Sequence, residues 1–160
     1  MGRDMTVPCG EGIINLRVGA IILRDGKFLM AGNARDNYLY SVGGRIQFGE
    51  TAEEAVVREV EEETGWRLAV DRLGFVHENY FPMDFGPDCG KPVYELSLYF
   101  YMVVPPDFEP VVESRTSDGL RERMEWIGFD EPRTVYPEFF RHELKHPEYT
   151  VKHFVTDDRE

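Results

Sequence analysis

The chain of 160 residues has room for one domain with a proper core and too little for two comfortable ones. A hydrophobic content of 42% marks a globular chain, and no apolar run approaches the ~20 residues of a membrane span. The net charge of -12 repels polyanions, so nucleic acid is disfavoured as a partner, and an anionic ligand would need metal cations or a local basic cluster to approach.

One domain is expected over 1–160, with flexible ends at 1–11 and 156–160. Met1 to Gly12 lacks a basic start followed by an apolar stretch, so no signal peptide is read and the default compartment is the cytoplasm, away from any membrane. Cys9 and Cys89 lie far apart in no CxxC pattern and are expected as free thiols.

In chain order, Ile13 to Ala31 predicts two strands around an Asp25-Gly26 turn. Asn33 to Asp36 is a polar loop, and Tyr38 to Val42 a short strand leading into Gly43-Gly44. Thr51 to Thr64 is the strongest helix. Leu73 to Phe81 is a strand, and Pro82 to Pro92 a loop rich in Gly, Pro and Asp. The β-rich run Val93 to Val104 predicts a central strand, ended by Pro105-Pro106. Val111 to Leu120 reads as a mobile loop and Arg123 to Phe129 as a strand. Pro137 to His146 reads as a second helix, with Pro137 in its first turn and Pro147 ending it. Strands interleaved with two helices give an α/β or α+β fold.

The first helix carries the chemistry. Thr51 and Glu54 form a capping box at its start, and Gly65 sits where a C-terminal cap belongs. At about 100° per residue, Ala52, Ala55 and Val56 share one face. Glu59 and Glu63 continue that face, with Glu62 beside it. A merely solvated helix would place its acids opposite the apolar stripe. Converging carboxylates at a helix C-terminus repel one another and oppose the dipole. Oxygen donors spaced i, i+3, i+4 suit a hard divalent cation such as Mg²⁺, with Mn²⁺ as a substitute, although taken alone the run EVEEE reads equally as a plain charged surface.

The segment GRIQFGETAEEAVVREVEEETGW, Gly44 to Trp66, resembles the Nudix box. Gly44, Glu50, Arg58, Glu59, Val60, Glu62, Glu63, Gly65 and Trp66 meet its specified positions. With single-residue requirements at seven of these, a chance match is on the order of 10⁻⁸ per start position. The resemblance implies an α/β/α sandwich around a mixed sheet and a loop–helix–loop that holds Mg²⁺ against a diphosphate. It implies Glu59, Glu62 and Glu63 as metal ligands beside Gly44, and Arg58 as the arginine that orients box carboxylates together with Glu50. Val60 and Trp66 are core packing. Where the family often has Leu-Pro or Phe-Pro before the paired glycines, this chain has Ser41-Val42.

The implied activity is Mg²⁺-dependent hydrolysis of a phosphoanhydride in a nucleoside diphosphate linked to another moiety. A nucleoside triphosphate, ADP-ribose, another nucleotide sugar and a dinucleoside polyphosphate all stay open as substrates. Candidate bases are Glu59 and Glu62 in the box and Glu113, Glu122 and Glu125 beyond it, with Glu122 preferred. Arg35, Tyr38, Tyr40 and Gly43 are candidate substrate contacts, the tyrosines by stacking on a base. Asn79 to Phe81 lies where some subfamilies carry substrate markers, and Pro82 is near, not on, the position of an ADP-ribose marker. Lys91, Arg115, Arg121 and Arg123 read as solvated bases able to lend local positive charge. The family is often dimeric, which makes a homodimer an open expectation.

Three rivals stand beside this. A nucleotide-sensing Nudix-like module would not cut its ligand, but such modules often lose box acids. RNA decapping conflicts with the acidic surface. His142 to His146, HELKH, satisfies the HExxH zinc-protease pattern, with Glu143 as its base. Pro147 stops that helix at once, and His153 misses the third-ligand spacing. His77 and His153 read as structural or solvent-facing.

Overall fold

The computed structural model describes residues 2–111, 113–115 and 119–159. Its strands are β1 (Thr6–Cys9), β2 (Gly12–Ile21), β3 (Leu23–Arg24), β4 (Lys27–Asn33), β5 (Leu39–Arg45), β6 (Val70–Pro82), β7 (Pro92–Met102), β8 (Glu113–Arg115), β9 (Arg121–Gly128), β10 (Val135–Tyr136) and β11 (Lys152–Asp157). The helices are α1 (Ala52–Thr64) and α2 (Phe140–Glu143). The main sheet runs β11-β6-β7-β2-β5-β4-β9-β8, with β1 on β2, β10 on β5 and β3 on β4. It is mixed: β2 and β7 are parallel, as are β6 and β11, while most other pairs are antiparallel. The fold is therefore α+β with a large mixed sheet.

β5 is the hinge of this arrangement. Its first residues pair with β4 and its last with β2, Arg17 opposite Arg45. The sheet thus divides around β5, and α1 packs over the division. Ala55, Val56 and Val60 bury against Val18, Ala20, Val42 and Phe100. Each fully buried valine contributes roughly 1.5–3 kcal/mol. The opposite face packs Ile21, Phe75, Tyr99 and Tyr101 against Phe140 and Leu144.

Local chemistry sets the element ends as expected. Asp25 (φ 52°) and Gly26 (φ 72°) turn β3 into β4. Thr51 and Glu54 exchange both hydrogen bonds of the capping box, and Gly65 closes α1 at φ 79°. β7 lies inside the sheet between β6 and β2. Cys9 and Cys89 are free and exposed.

Several boundaries differ. β5 runs on through Gly43 and Gly44, because β2 extends beside it and supplies partners. Thr6–Cys9, expected within a flexible end, pairs with β2, and β11 reaches Asp157 at the other end by pairing with β6. In the expected loop Val111 to Leu120, Glu113–Arg115 forms an edge strand on β9, while Val112 and Thr116 to Asp118 lie outside the described residues. The expected helix from Pro137 to His146 shrinks to the single turn α2. The N–H groups of Phe140, Arg141 and His142 reach three residues back, so the segment begins as turns, and Pro147 disfavours helix at His146. No described helix is long and apolar enough to cross a membrane.

Candidate active site

Arg58 organises the exposed side of the box. Its Nε and Nη2 donate to the two oxygens of Glu50 at 3.0 and 2.6 Å, a bidentate pair. Nη1 donates to Glu59 at 2.8 Å and more weakly to Glu62 at 3.4 Å, and Nη2 also reaches the Arg45 carbonyl at 3.1 Å. Glu50 accepts the Gln47 N–H as well, at 2.8 Å. The guanidinium holds the Glu50 carboxyl below the usual range, and the acids in turn hold Arg58 firmly charged.

Glu63 lies beneath this layer. It is buried, and its Oε2 accepts the Gly43 N–H at 2.9 Å. Burial pushes its carboxyl well above the usual range, the charges of Glu122 and Glu59 push further, and the Gly43 N–H and Arg17 only partly offset them. Burial also raises Glu59, against the pull of Arg58. A Cβ on Gly44 would collide with the Glu59 carboxylate, so glycine there admits the acid to the strand.

Among the outlying candidates, Glu122 reaches this centre. It is buried on β9, next to Glu63 in electrostatic terms, and its Oε2 accepts the Tyr40 hydroxyl. Asn33 donates in turn to the Tyr40 oxygen at 3.2 Å. Burial and the Glu122 carboxylate push the Tyr40 phenol strongly upward, so it stays a donor. Glu113 is instead paired with Arg121 at 3.1 Å, and Glu125 with Arg123 and Arg133 at 3.3 and 3.2 Å. Tyr38 sits edge-on between Tyr40 and Tyr136, with centroids 6.4 and 5.0 Å away. Arg35 pairs with Asp36 and lies 4.9 Å from the Phe85 ring. Lys91 is held by Asp88 at 2.7 Å.

Sequence reading missed Arg17. Strand β2 places it opposite Arg45, 3.9 Å from Glu95. Burial opposes its charge, but Glu95, Tyr99, Glu63 and Glu59 outweigh that and raise it. The available signal was an arginine, two residues after Asn15, inside a mainly apolar strand.

Among the described residues, no three His, Cys, Asp or Glu side chains converge as a ready-made metal site. Arg58 draws Glu59 and Glu62 outward, and the Gly43 N–H draws Glu63 inward. The donor set still suits a hard cation: Glu59, Glu63 and Glu122 are crowded carboxylates whose mutual repulsion is only partly offset by arginine. HELKH offers no such cluster, since α2 ends before His146 and Glu143 is paired with Lys152 at 2.7 Å. His77 is buried against Thr156, at 2.9 Å, and exposed His153 faces Glu78 at 2.7 Å.

Fold and site together define an α+β protein whose loop–helix–loop sets the carboxylates of one helix over a split in a mixed sheet. The chain belongs to the Nudix family: the family's NUDIX domain profile matches residues 14–149. A MutT-like protein of Streptomyces ambofaciens is 39% identical over 61 residues, 38% of this chain and only 40% of that protein. The crystal structure of the mutator MutT protein of Bacillus halodurans superposes with a TM-score of 0.61 at 18% identity, covering 91% of this chain and 93% of that one. An ADP-ribose pyrophosphatase of Streptococcus suis gives 0.57 at 17% identity, over 88% and 98% of the two chains. A UDP-X diphosphatase gives 0.52 at 19% identity, over 76% of this chain and 54% of that one. At these identities the structural likeness establishes the fold.

Proposed function

We propose that the protein is a pyrophosphohydrolase, dependent on Mg²⁺ or Mn²⁺, that cleaves a phosphoanhydride in a nucleoside diphosphate derivative. The observation that carries this reading is the buried acid pair Glu63 and Glu122, joined by Glu59 in one field of carboxylates. Buried acids without enough positive charge are costly unless a cation completes the site.

Glu59, Glu62 and Glu63 would hold the cation, with Gly44 leaving room beside them. When bound, the cation supplies charge neutralisation of the diphosphate and Lewis acidity toward the attacking water. Arg58 fixes the orientation of Glu50 and Glu59 and holds the Glu50 carboxyl below the usual range. Glu122 Oε1 takes the water proton, while the Tyr40 hydroxyl keeps Oε2 in place. Arg17 on β2 lends positive charge that partly offsets Glu59 and Glu63. Water adds to one phosphorus, the bridging P–O bond breaks, and two phosphate products leave with release of the proton.

The test is phosphate and nucleotide release from a panel of nucleoside diphosphate derivatives, in Mg²⁺ or Mn²⁺, for the intact protein and for Glu62→Gln. Turnover that falls about a hundredfold or more in the variant supports the assignment, as expected for a lost metal ligand. Unchanged turnover in Glu62→Gln would sink it. Nucleotide binding with no cleavage in either metal would favour a sensing module.

A further inference from the structure

The main sheet ends on an open strand. β11 stands last in the strand order, beside β6, and no described strand pairs with its outer side. The opposite end of the sheet, β8, is only three residues long. β11 runs for six residues, Lys152–Asp157, in unbroken register with β6 and without a proline. Such an edge offers a row of unpaired backbone groups to another strand, and proteins usually guard it.

The ladder fixes which groups face outward. The Asp158 N–H donates to the Tyr80 carbonyl at 3.0 Å, so the backbone of Asp158 turns inward to β6. Residues along a strand alternate in this respect, so Lys152, Phe154 and Thr156 turn inward with it. His153, Val155 and Asp157 turn their N–H and C=O groups to the open side. Their side chains are exposed too, Val155 at 59%.

We propose that β11 pairs antiparallel with β11 of a second copy of the chain, about a two-fold axis at Val155. His153 then stands opposite Asp157 of the second copy, and Lys152 opposite Asp158. All three outward residues join the ladder, in about six backbone hydrogen bonds. The exposed Val155 side chains meet each other at the axis. Lys152 holds Glu143 at 2.7 Å and Glu148 at 3.4 Å, which leaves one of its three ammonium donors for Asp158. Moving the axis by one outward residue sets either His153 or Asp157 against itself, so charge selects the register. Charge also selects the partner. In a chain of net charge -12 two copies repel, but along this strand Lys152 and Arg159 balance Asp157 and Asp158, so the edge is locally neutral. The pairing is isologous and closed, which joins two sheets into one and leaves neither β11 open.

Sedimentation and light scattering of the full chain test this, with no reliance on hydrolysis. At about 100 μM the intact protein is expected at twice the chain mass. Val155→Pro removes an outward N–H and spares the bonds to β6, so it should give the single-chain mass with an unchanged far-UV spectrum. Lys152→Asp and Asp158→Lys each set like charges together at two places and should weaken the dimer about tenfold or more. Mixed in equal amounts, the two variants restore an acid opposite a base at both places, and the mixture should dimerise as the intact protein does. A single-chain mass for the intact protein overturns the proposal. So does a dimer that survives Val155→Pro, since its interface lies elsewhere. A mixture that pairs no better than its components overturns the register.

Discussion

The carboxyl of Glu63 on α1 and that of Glu122 on β9 share one buried electrostatic neighbourhood, and Glu122 is the largest charge acting against ionisation of Glu63. These residues are far apart in the chain and are brought together by packing of the helix across the divided sheet.

That relationship gives a pH dependence. The Glu63 carboxyl is raised well above its ordinary value of 4.5 in the folded protein. Folding therefore favours its neutral form. The stabilisation is full below the ordinary value and is lost as pH rises through the folded one. In EDTA, the stability of the wild type should fall relative to Glu63→Gln as pH rises above the ordinary carboxyl value of 4.5. Millimolar Mg²⁺ should restore the wild type and not the variant. Denaturant unfolding at several pH values measures this, and parallel curves for the two proteins would refute it.

Arg58→Lys should weaken both structure and chemistry. A lysine cannot keep the bidentate pair with Glu50 and also reach Glu59. The expected cost is about 1–3 kcal/mol of stability, with turnover reduced roughly ten- to a hundredfold. Urea unfolding and steady-state kinetics read the two separately. A variant equal to wild type in both would show the arginine to be dispensable.

Glu122→Gln should lower kcat by roughly 10²–10⁴, the range for a lost general base, with KM little changed. Tyr40→Phe removes only the hydroxyl that steadies Glu122, so its effect should be milder, about tenfold for about 1.4 kcal/mol. If Glu122→Gln keeps its kcat, the proton acceptor lies within the box.

His142→Ala should leave metal content and activity unchanged, because α2 does not align His142 with His146. Metal analysis after dialysis against Zn²⁺ checks this. Stoichiometric zinc in the wild type that disappears in the variant would restore the HELKH motif as a site.

How much was legible beforehand follows from the range of the interactions. α1, its capping box, its glycine stop and its acid-bearing face are set by residues within four or five positions of each other, and so were readable. The Asp25-Gly26 turn is equally local. The strand Thr6–Cys9 and the terminal strand β11 were not readable, since each exists by pairing with a distant neighbour. The helix read from Pro137 to His146 shrinks at both ends: the segment starts in turns and gives one helical turn, Phe140–Glu143.

By itself the sequence determined the family, the box and the carboxylates that belong to it, because that information lies in one contiguous run of residue identities and spacings. Only the tertiary structure decided that Glu122, and not Glu113 or Glu125, sits against those carboxylates. It also decided that Arg17 answers them from β2 and that β11 is left as an open edge of the sheet. Register across strands carries these facts, and register depends on which strands meet, a property no local stretch of chain contains.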